Sequence, residues 1–196
     1  MYMNYLAHAY LSFNNPLLTV GNMIADFVKG HQWQQYEEEI QQGILMHRAI
    51  DTFTDQHPVT LAAREYFQPS SGRYSAVFID IVYDHFLATD KTIFTENSLS
   101  AFSARVYQIL HDQYDILPPR FQQVFHYMHT HDWLYNYRKK EGILKSFNGI
   151  VHRAKYLEGT ADATFAAMEE NYNELAACYR IFFPEIITYV KDAFPH

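Results

Sequence analysis

The stretch from Gly43 to Pro58, GILMHRAIDTFTDQHP, holds the residue types that suit metal or phosphate chemistry. As a helix it places His47, Asp51 and Asp55 at i, i+4, i+8. Residues in that series drift by only ~40° around the axis per step, so an imidazole and two carboxylates line one stripe. Thr54 falls on the same side, and Met46, Ile50 and Phe53 flank it toward a core. Three more segments carry polar i, i+4 pairs within otherwise apolar helices: Asn4/His8, Asn22/Asp26 and Asp80/Asp84, with His85 next to the last. A lone pair of this kind is an ordinary solvated face. Four of them, one inside a segment apolar almost all round (Val77, Phe78, Ile79, Ile81, Val82, Tyr83, Phe86, Leu87), point to a shared cation. Buried carboxylates one turn apart repel unless a cation or a shared proton intervenes.

Imidazole and carboxylate ligands without thiolates suit Mn²⁺ or Fe²⁺ best, with Zn²⁺ and Mg²⁺ behind them. Such an ion polarises a phosphoryl oxygen and supplies a nucleophile at neutral pH. Arg48, beside the stripe, and Lys29, after Asp26, are placed to offset phosphoryl charge, although Arg48 equally suits a salt bridge with Asp51 or Asp55. The cluster His126, His129, His131 and Asp132 reads as a solvated helix end.

The surrounding elements are read as helices. The segments run over 2 to about 13, 17 to about 29, the opening stretch, 59 to 67, 73 to 88, 96 to 114, 119 to 131, 141 to 156 and 162 to 182, with Pro184 starting or kinking the last piece. The 141–156 helix is expected to break near Gly149, and the 96–114 helix to be capped by Asn97 or Ser98. Residues 31 to 42 read as a surface helix or loop. Strand signals are poor, and neither a Gly-rich phosphate loop nor a GxSxG turn is present. The expectation is an all-α chain, residues 1–196 forming a single-domain helical bundle.

Composition narrows the function. Hydrophobic residues make up 48% of 196, enough for a sizeable core, and only 7 Gly and 7 Pro interrupt it. The net charge of −7 argues against broad nucleic-acid binding. No apolar run approaches the ~18 residues of a membrane span, and the N-terminus lacks the basic region of a signal peptide. The lone Cys178 cannot form an internal disulfide. A cytoplasmic protein is expected.

Several ordered blocks resemble the acyl carrier protein phosphodiesterase family: Asn4-Tyr-Leu-Ala-His8, Gly21-Asn-Met-Ile-Ala-Asp26-Phe-Val-Lys-Gly30, Gly43-Ile-Leu-Met-His47-Arg-Ala-Ile-Asp51-Thr-Phe-Thr-Asp55, Tyr83-Asp84-His85-Phe-Leu87 and Asp132-Trp-Leu134. The likeness covers residue 1 to about 138. It implies an all-α, HD-domain-like metal phosphohydrolase that removes 4′-phosphopantetheine from a serine of holo-acyl carrier protein, with Mn²⁺ as the usual cofactor. Carried over by position, it implies Asp26, His47, Asp51, Asp84 and His8 as metal ligands. His85 is a further ligand candidate or, with Arg48 and Lys29, part of the catalytic set. The usual HD order is not kept, since Asp84 precedes His85.

An acidic carrier helix must meet a positive surface. Arg138, Lys139, Lys140, Lys145, Arg153 and Lys155 form one basic segment, which reads equally as a solvated face, and Arg64 and Arg73 lie nearer the proposed site in sequence. Two other readings stand beside this one: a related metal phosphohydrolase acting on a nucleotide or small phosphodiester, and a non-enzymatic helical binding module using its many aromatic residues.

Overall fold

The computed structural model describes residues 5–195, and these contain helices and no strand. The α-helices are α1 (Tyr5–Tyr10), α2 (Pro16–Ile24), α3 (Glu38–Gln56), α4 (Pro58–Glu65), α5 (Gln68–Ser71), α6 (Ser75–Thr89), α7 (Glu96–Asp112), α8 (Pro119–Thr130), α9 (Trp133–Asn136), α10 (Lys140–Arg153), α11 (Ala161–Glu170) and α12 (Tyr172–Ala193). The all-α expectation therefore holds. Asn4, half of one expected pair, lies outside the described residues.

Local chemistry sets most boundaries. After α1 the chain turns through left-handed backbone at Phe13 and Asn14. Asn15 then caps α2, its Oδ1 accepting from the amides of Leu17 and Leu18 at 3.0 and 3.1 Å, with Pro16 at the first helical position. Helix α2 ends earlier than expected. At Ala25–Phe27 it tightens into a 3₁₀ turn, and Gly30 takes its positive φ only after an extended residue. That turn carries Asp26 off the line of α2.

Four other expectations need adjusting. Residues 32–35 form a 3₁₀ turn, and α3 starts at Glu38, well before Gly43. Helix α7 is capped by Thr95, whose hydroxyl and the Ser98 hydroxyl serve each other's backbone amides. Helix α10 runs unbroken through Gly149. The long final helix is two helices, because Thr160 caps α11 and the Asn171 side chain folds back onto the Ala167 carbonyl at 2.8 Å. Pro184 lies inside α12. The carbonyl it leaves without a helical donor is that of exposed Arg180, where water can serve it.

Helix α6 is the central rod, buried on nearly every side and packed by α1, α4, α10 and α12. One contiguous core surrounds it, with Phe78 edge-on to Phe147 at 4.8 Å and Tyr83 stacked on Phe182 at 5.0 Å. Burying a side chain of this size contributes about 1.5–3 kcal/mol.

The closest helix pair is α2 with α3. A Cβ on Gly21 would overlap the Ile40 carbonyl, and one on Gly43 would overlap the Leu18 carbonyl and approach the Gly21 Cα to 2.9 Å. The two backbones touch because neither residue has a side chain. This sets Asn22, beside Gly21, against His47, one turn beyond Gly43.

Gly43→Ala should therefore destabilise the protein by about 1–3 kcal/mol or more. Gly149→Ala, in a helix interior where the nearest atom to a new Cβ is the Arg153 side chain at 3.6 Å, should stabilise it by about 0.5–1 kcal/mol. Chemical denaturation of both variants checks this. Equal tolerance at the two sites would contradict the glycine-to-glycine crossing.

Candidate metal centre

His47 sits midway along α3, and Asp51 follows one turn later. His8 arrives from the last turn of α1, and its ring stacks on that of His47 with centroids 4.0 Å apart and planes at 17°. Asp26 comes from the 3₁₀ turn after α2. Both histidines are buried, whereas the Asp26 and Asp51 side chains are 20% and 30% exposed, so the carboxylates form the mouth.

Asn22, fully buried, fixes both rings. Its side-chain nitrogen donates to the His8 carbonyl at 2.9 Å and to Ser12 Oγ at 3.1 Å, which assigns the other end of the amide as oxygen. That Oδ1 lies 2.7 Å from His8 Nδ1, so His8 must be the donor there. The Asn22 backbone carbonyl lies 2.7 Å from His47 Nδ1, and the same argument makes His47 a donor. Each ring, when neutral, thus turns an Nε2 lone pair toward the carboxylates. Metal-binding histidines are commonly held this way, with the second ring nitrogen donating to a fixed oxygen.

The two Nε2 atoms converge on Asp51, His8 Nε2 at 3.3 Å from one carboxylate oxygen and His47 Nε2 at 3.3 Å from the other. His47 Nε2 is also 3.6 Å from Asp26 Oδ1. Neither Nε2 has a hydrogen-bond partner, although both are buried. Lone pairs facing carboxylates without a proton or cation between them are costly in a dry site. The donor atoms of His8, His47 and Asp51 lie within 4.8 Å of one another, a cluster able to hold a divalent cation. Without one, the site takes up a proton. Burial opposes charge on His47, but Asp26 and Asp51 outweigh it and push its pKa up to about 9. Burial and then the neighbouring His47 keep His8 below the ordinary imidazole value. The carboxyls of Asp26 and Asp51 resist burial and are held below the usual range by the imidazoles, His47 foremost.

The remaining expected residues are placed differently. Asp84 does not enter the cluster, because both its oxygens are occupied: they accept from the Leu6 amide at 3.0 Å and the Ala7 amide at 2.8 Å. Asp84 thus meets the open first-turn amides of α1 from α6 and seats the helix that carries His8. His85 is also drawn elsewhere, its Nδ1 to the Tyr137 carbonyl at 2.7 Å and its Nε2 to the Tyr172 hydroxyl at 2.8 Å. Asp55 leaves the stripe to pair with Arg64. Thr54 is spent on the Ile50 carbonyl at 2.8 Å. Arg48 forms no salt bridge with Asp51 or Asp55; it reaches the Val28 carbonyl at 3.5 Å, near the Asp26 turn, and Lys29 is exposed there. Asp80 borders a small cavity with Thr54 and Tyr83, where burial and then Asp51 raise its pKa. Asp132 adopts a left-handed conformation and accepts from buried Ser103 at 2.7 Å, which makes it a structural corner. Asn22 stands in the sequence as the i, i+4 partner of Asp26, yet its grip on both rings depends on where α1 and α3 lie.

Fold and cluster together define an all-helical protein with a two-histidine, carboxylate centre suited to a divalent cation. The chain belongs to the acyl carrier protein phosphodiesterase family, whose profile matches residues 3–186. It is 33% identical over 191 residues to an acyl carrier protein phosphodiesterase of Serratia proteamaculans, covering 97% of this chain and 98% of that protein. It is 32% identical over 195 residues to one of Enterobacter, with 97% and 98% covered. One of Salmonella agona is 33% identical over 190 residues, with 94% and 96% covered. No solved structure matches the chain significantly.

The raised His47 pKa gives a pH signature. In the metal-free protein its imidazolium contributes stability that is complete below the unfolded value of 6.5 and is lost as pH rises through about 9. A divalent cation bound there would take the proton's place, so denaturation at pH 7 and pH 10 should show a large stability loss without added divalent cation and a much smaller one at a saturating concentration of it. Equal losses with and without the ion would contradict the assignment.

Proposed function

We propose that this chain, as one domain, is a metal-dependent phosphodiesterase that hydrolyses holo-acyl carrier protein in the cytoplasm. Water is added across the phosphodiester bond to the carrier's serine, giving apo-carrier protein and free 4′-phosphopantetheine. The observation that carries this reading is the pair of buried, unpartnered Nε2 atoms facing Asp51. Membership of a family named for this activity supports it. Among the described residues no helix is long and apolar enough to cross a membrane.

In this account His8, His47 and Asp51 hold the cation, with Asp26 beside them. The mixed nitrogen and oxygen set favours Mn²⁺, with Fe²⁺ or Mg²⁺ as alternatives. When bound, the ion supplies Lewis-acid polarisation of the phosphoryl group and activates water at neutral pH. Asn22 fixes the tautomers, Asp84 fixes α1, and the apolar packing behind the rings excludes solvent from one side of the site. The exposed edges of Asp26 and Asp51 leave the other side open to a phosphodiester. Arg48 and Lys29, near the Asp26 turn, are the cations within reach of its charge. His85, committed to Tyr137 and Tyr172, would have to break those bonds to serve as an acid.

Mass spectrometry of holo-carrier protein incubated with the purified protein and Mn²⁺ should show loss of the phosphopantetheine mass, and chelation should abolish it. Asp51→Asn and His47→Ala should each lower kcat/KM by at least about 100-fold and weaken Mn²⁺ binding. Asp84→Asn leaves one α1 amide unmet and should cost about 1–3 kcal/mol of stability, yet still bind Mn²⁺ at saturation. No mass loss from holo-carrier protein would overturn the substrate assignment. Loss of all Mn²⁺ binding in folded Asp84→Asn would return Asp84 to the ligand set.

A further inference from the structure

One large cavity lies apart from the metal centre. It measures about 770 Å³ and is lined by residues that include Arg73, Tyr74, Tyr156 and Thr160. A second, of about 610 Å³, contains Arg64 and Leu61, and a third, of about 370 Å³, contains Arg153. Arg73 lines all three, so they adjoin around its side chain as a furrow bordered by α4, α5, α6, α10 and the approach to α11.

Arg73 is exposed and, among the described residues, has no carboxylate partner. Its guanidinium lies instead over Tyr74 at 5.4 Å and Tyr156 at 5.0 Å, and the Lys155 ammonium lies over the Tyr156 ring at 5.5 Å. Only Glu65 and Glu158 oppose this charge in the lining, on a chain of net charge −7. Elsewhere on the basic segment, two cations are already paired: Arg138 with Glu96 at 3.1 Å and Lys140 with Glu169 at 2.7 Å.

Two features suit a protein surface better than a small anion. The furrow is open, and two of the large apolar side chains left in solvent, Leu61 at 48% and Tyr156 at 65% exposure, flank it. Arginine and tyrosine beside exposed apolar groups are the residue types that dominate protein–protein binding energy. The furrow also begins near the metal centre. Arg64 pairs with Asp55, which stands on α3 one turn, ~6 Å, beyond Asp51.

We propose that an acidic surface of the carrier protein docks in this furrow, with Arg73 as its central anchor. The proposal rests on the holo-carrier reading, and the test separates the two. Apo-carrier protein lacks the prosthetic arm, so its binding, measured by calorimetry, reports docking alone. Wild-type protein should bind it with an affinity that falls steeply with salt. Arg73→Glu should weaken binding at least tenfold, Arg73→Ala by less, and Lys145→Glu by less than twofold, each with unchanged Mn²⁺ binding and thermal stability. Wild-type affinity in Arg73→Glu, or an equal loss in Lys145→Glu, would overturn the docking site. Salt-dependent, Arg73-dependent binding without release of phosphopantetheine from holo-carrier protein would overturn the reaction and leave the docking site standing.

Discussion

Everything at the centre depends on one buried amide. Asn22 holds His8 with its side-chain oxygen and His47 with its backbone oxygen, both at 2.7 Å, and ties its own nitrogen to the His8 carbonyl. One residue therefore sets the tautomer and direction of two rings from different helices. The consequence is electrostatic. Two lone pairs and two carboxylates face one another, and only a proton or a cation satisfies them together. The site's demand for positive charge follows from hydrogen bonds made behind the rings, before any ligand is considered.

The rest of the fold brings those helices within reach. Gly21 and Gly43 let α2 and α3 touch at the backbone, so that a main-chain carbonyl of one meets an imidazole of the other. Asp84, on the buried central helix, does the same for α1 by accepting from the amides just before His8. A carboxylate in the core is expensive unless its oxygens are met. Here the Leu6 and Ala7 amides meet them, offsetting part of the burial that pushes the Asp84 pKa well up, and that contact seats the helix that carries His8. The furrow around Arg73 has the opposite character. It is open to solvent, with Arg73, Leu61 and Tyr156 exposed along it.

Much of this was legible in the sequence. The spacing of His47 and Asp51 follows from helical geometry alone, and the structure joins His8 and Asp26 to them as the pattern of i, i+4 pairs anticipated. The burial of the segment holding Asp80 and Asp84 was equally plain from its apolar residues on every face. What periodicity does not show is direction between elements. Asp84 lies four residues from Asp80 in a buried helix, and the sequence reads the pair as calling for a cation, with Asp84 as the ligand. Only the position of α1 reveals that Asp84 is consumed by backbone amides. The partners of His85 are hidden for the same reason, since Tyr137 and Tyr172 lie 52 and 87 residues away. Helix ends were missed where a side chain chose between neighbouring caps, as at Thr95 and Asn171.

The central claim is that two imidazole nitrogens and the Asp51 carboxylate share one cation. Pulsed electron paramagnetic resonance of the Mn²⁺-loaded protein, labelled with ¹⁵N-histidine, reads this directly. Two coupled imidazole nitrogens are expected in the wild-type protein, falling to one in His8→Gln. A spectrum with no coupled histidine nitrogen would contradict the account.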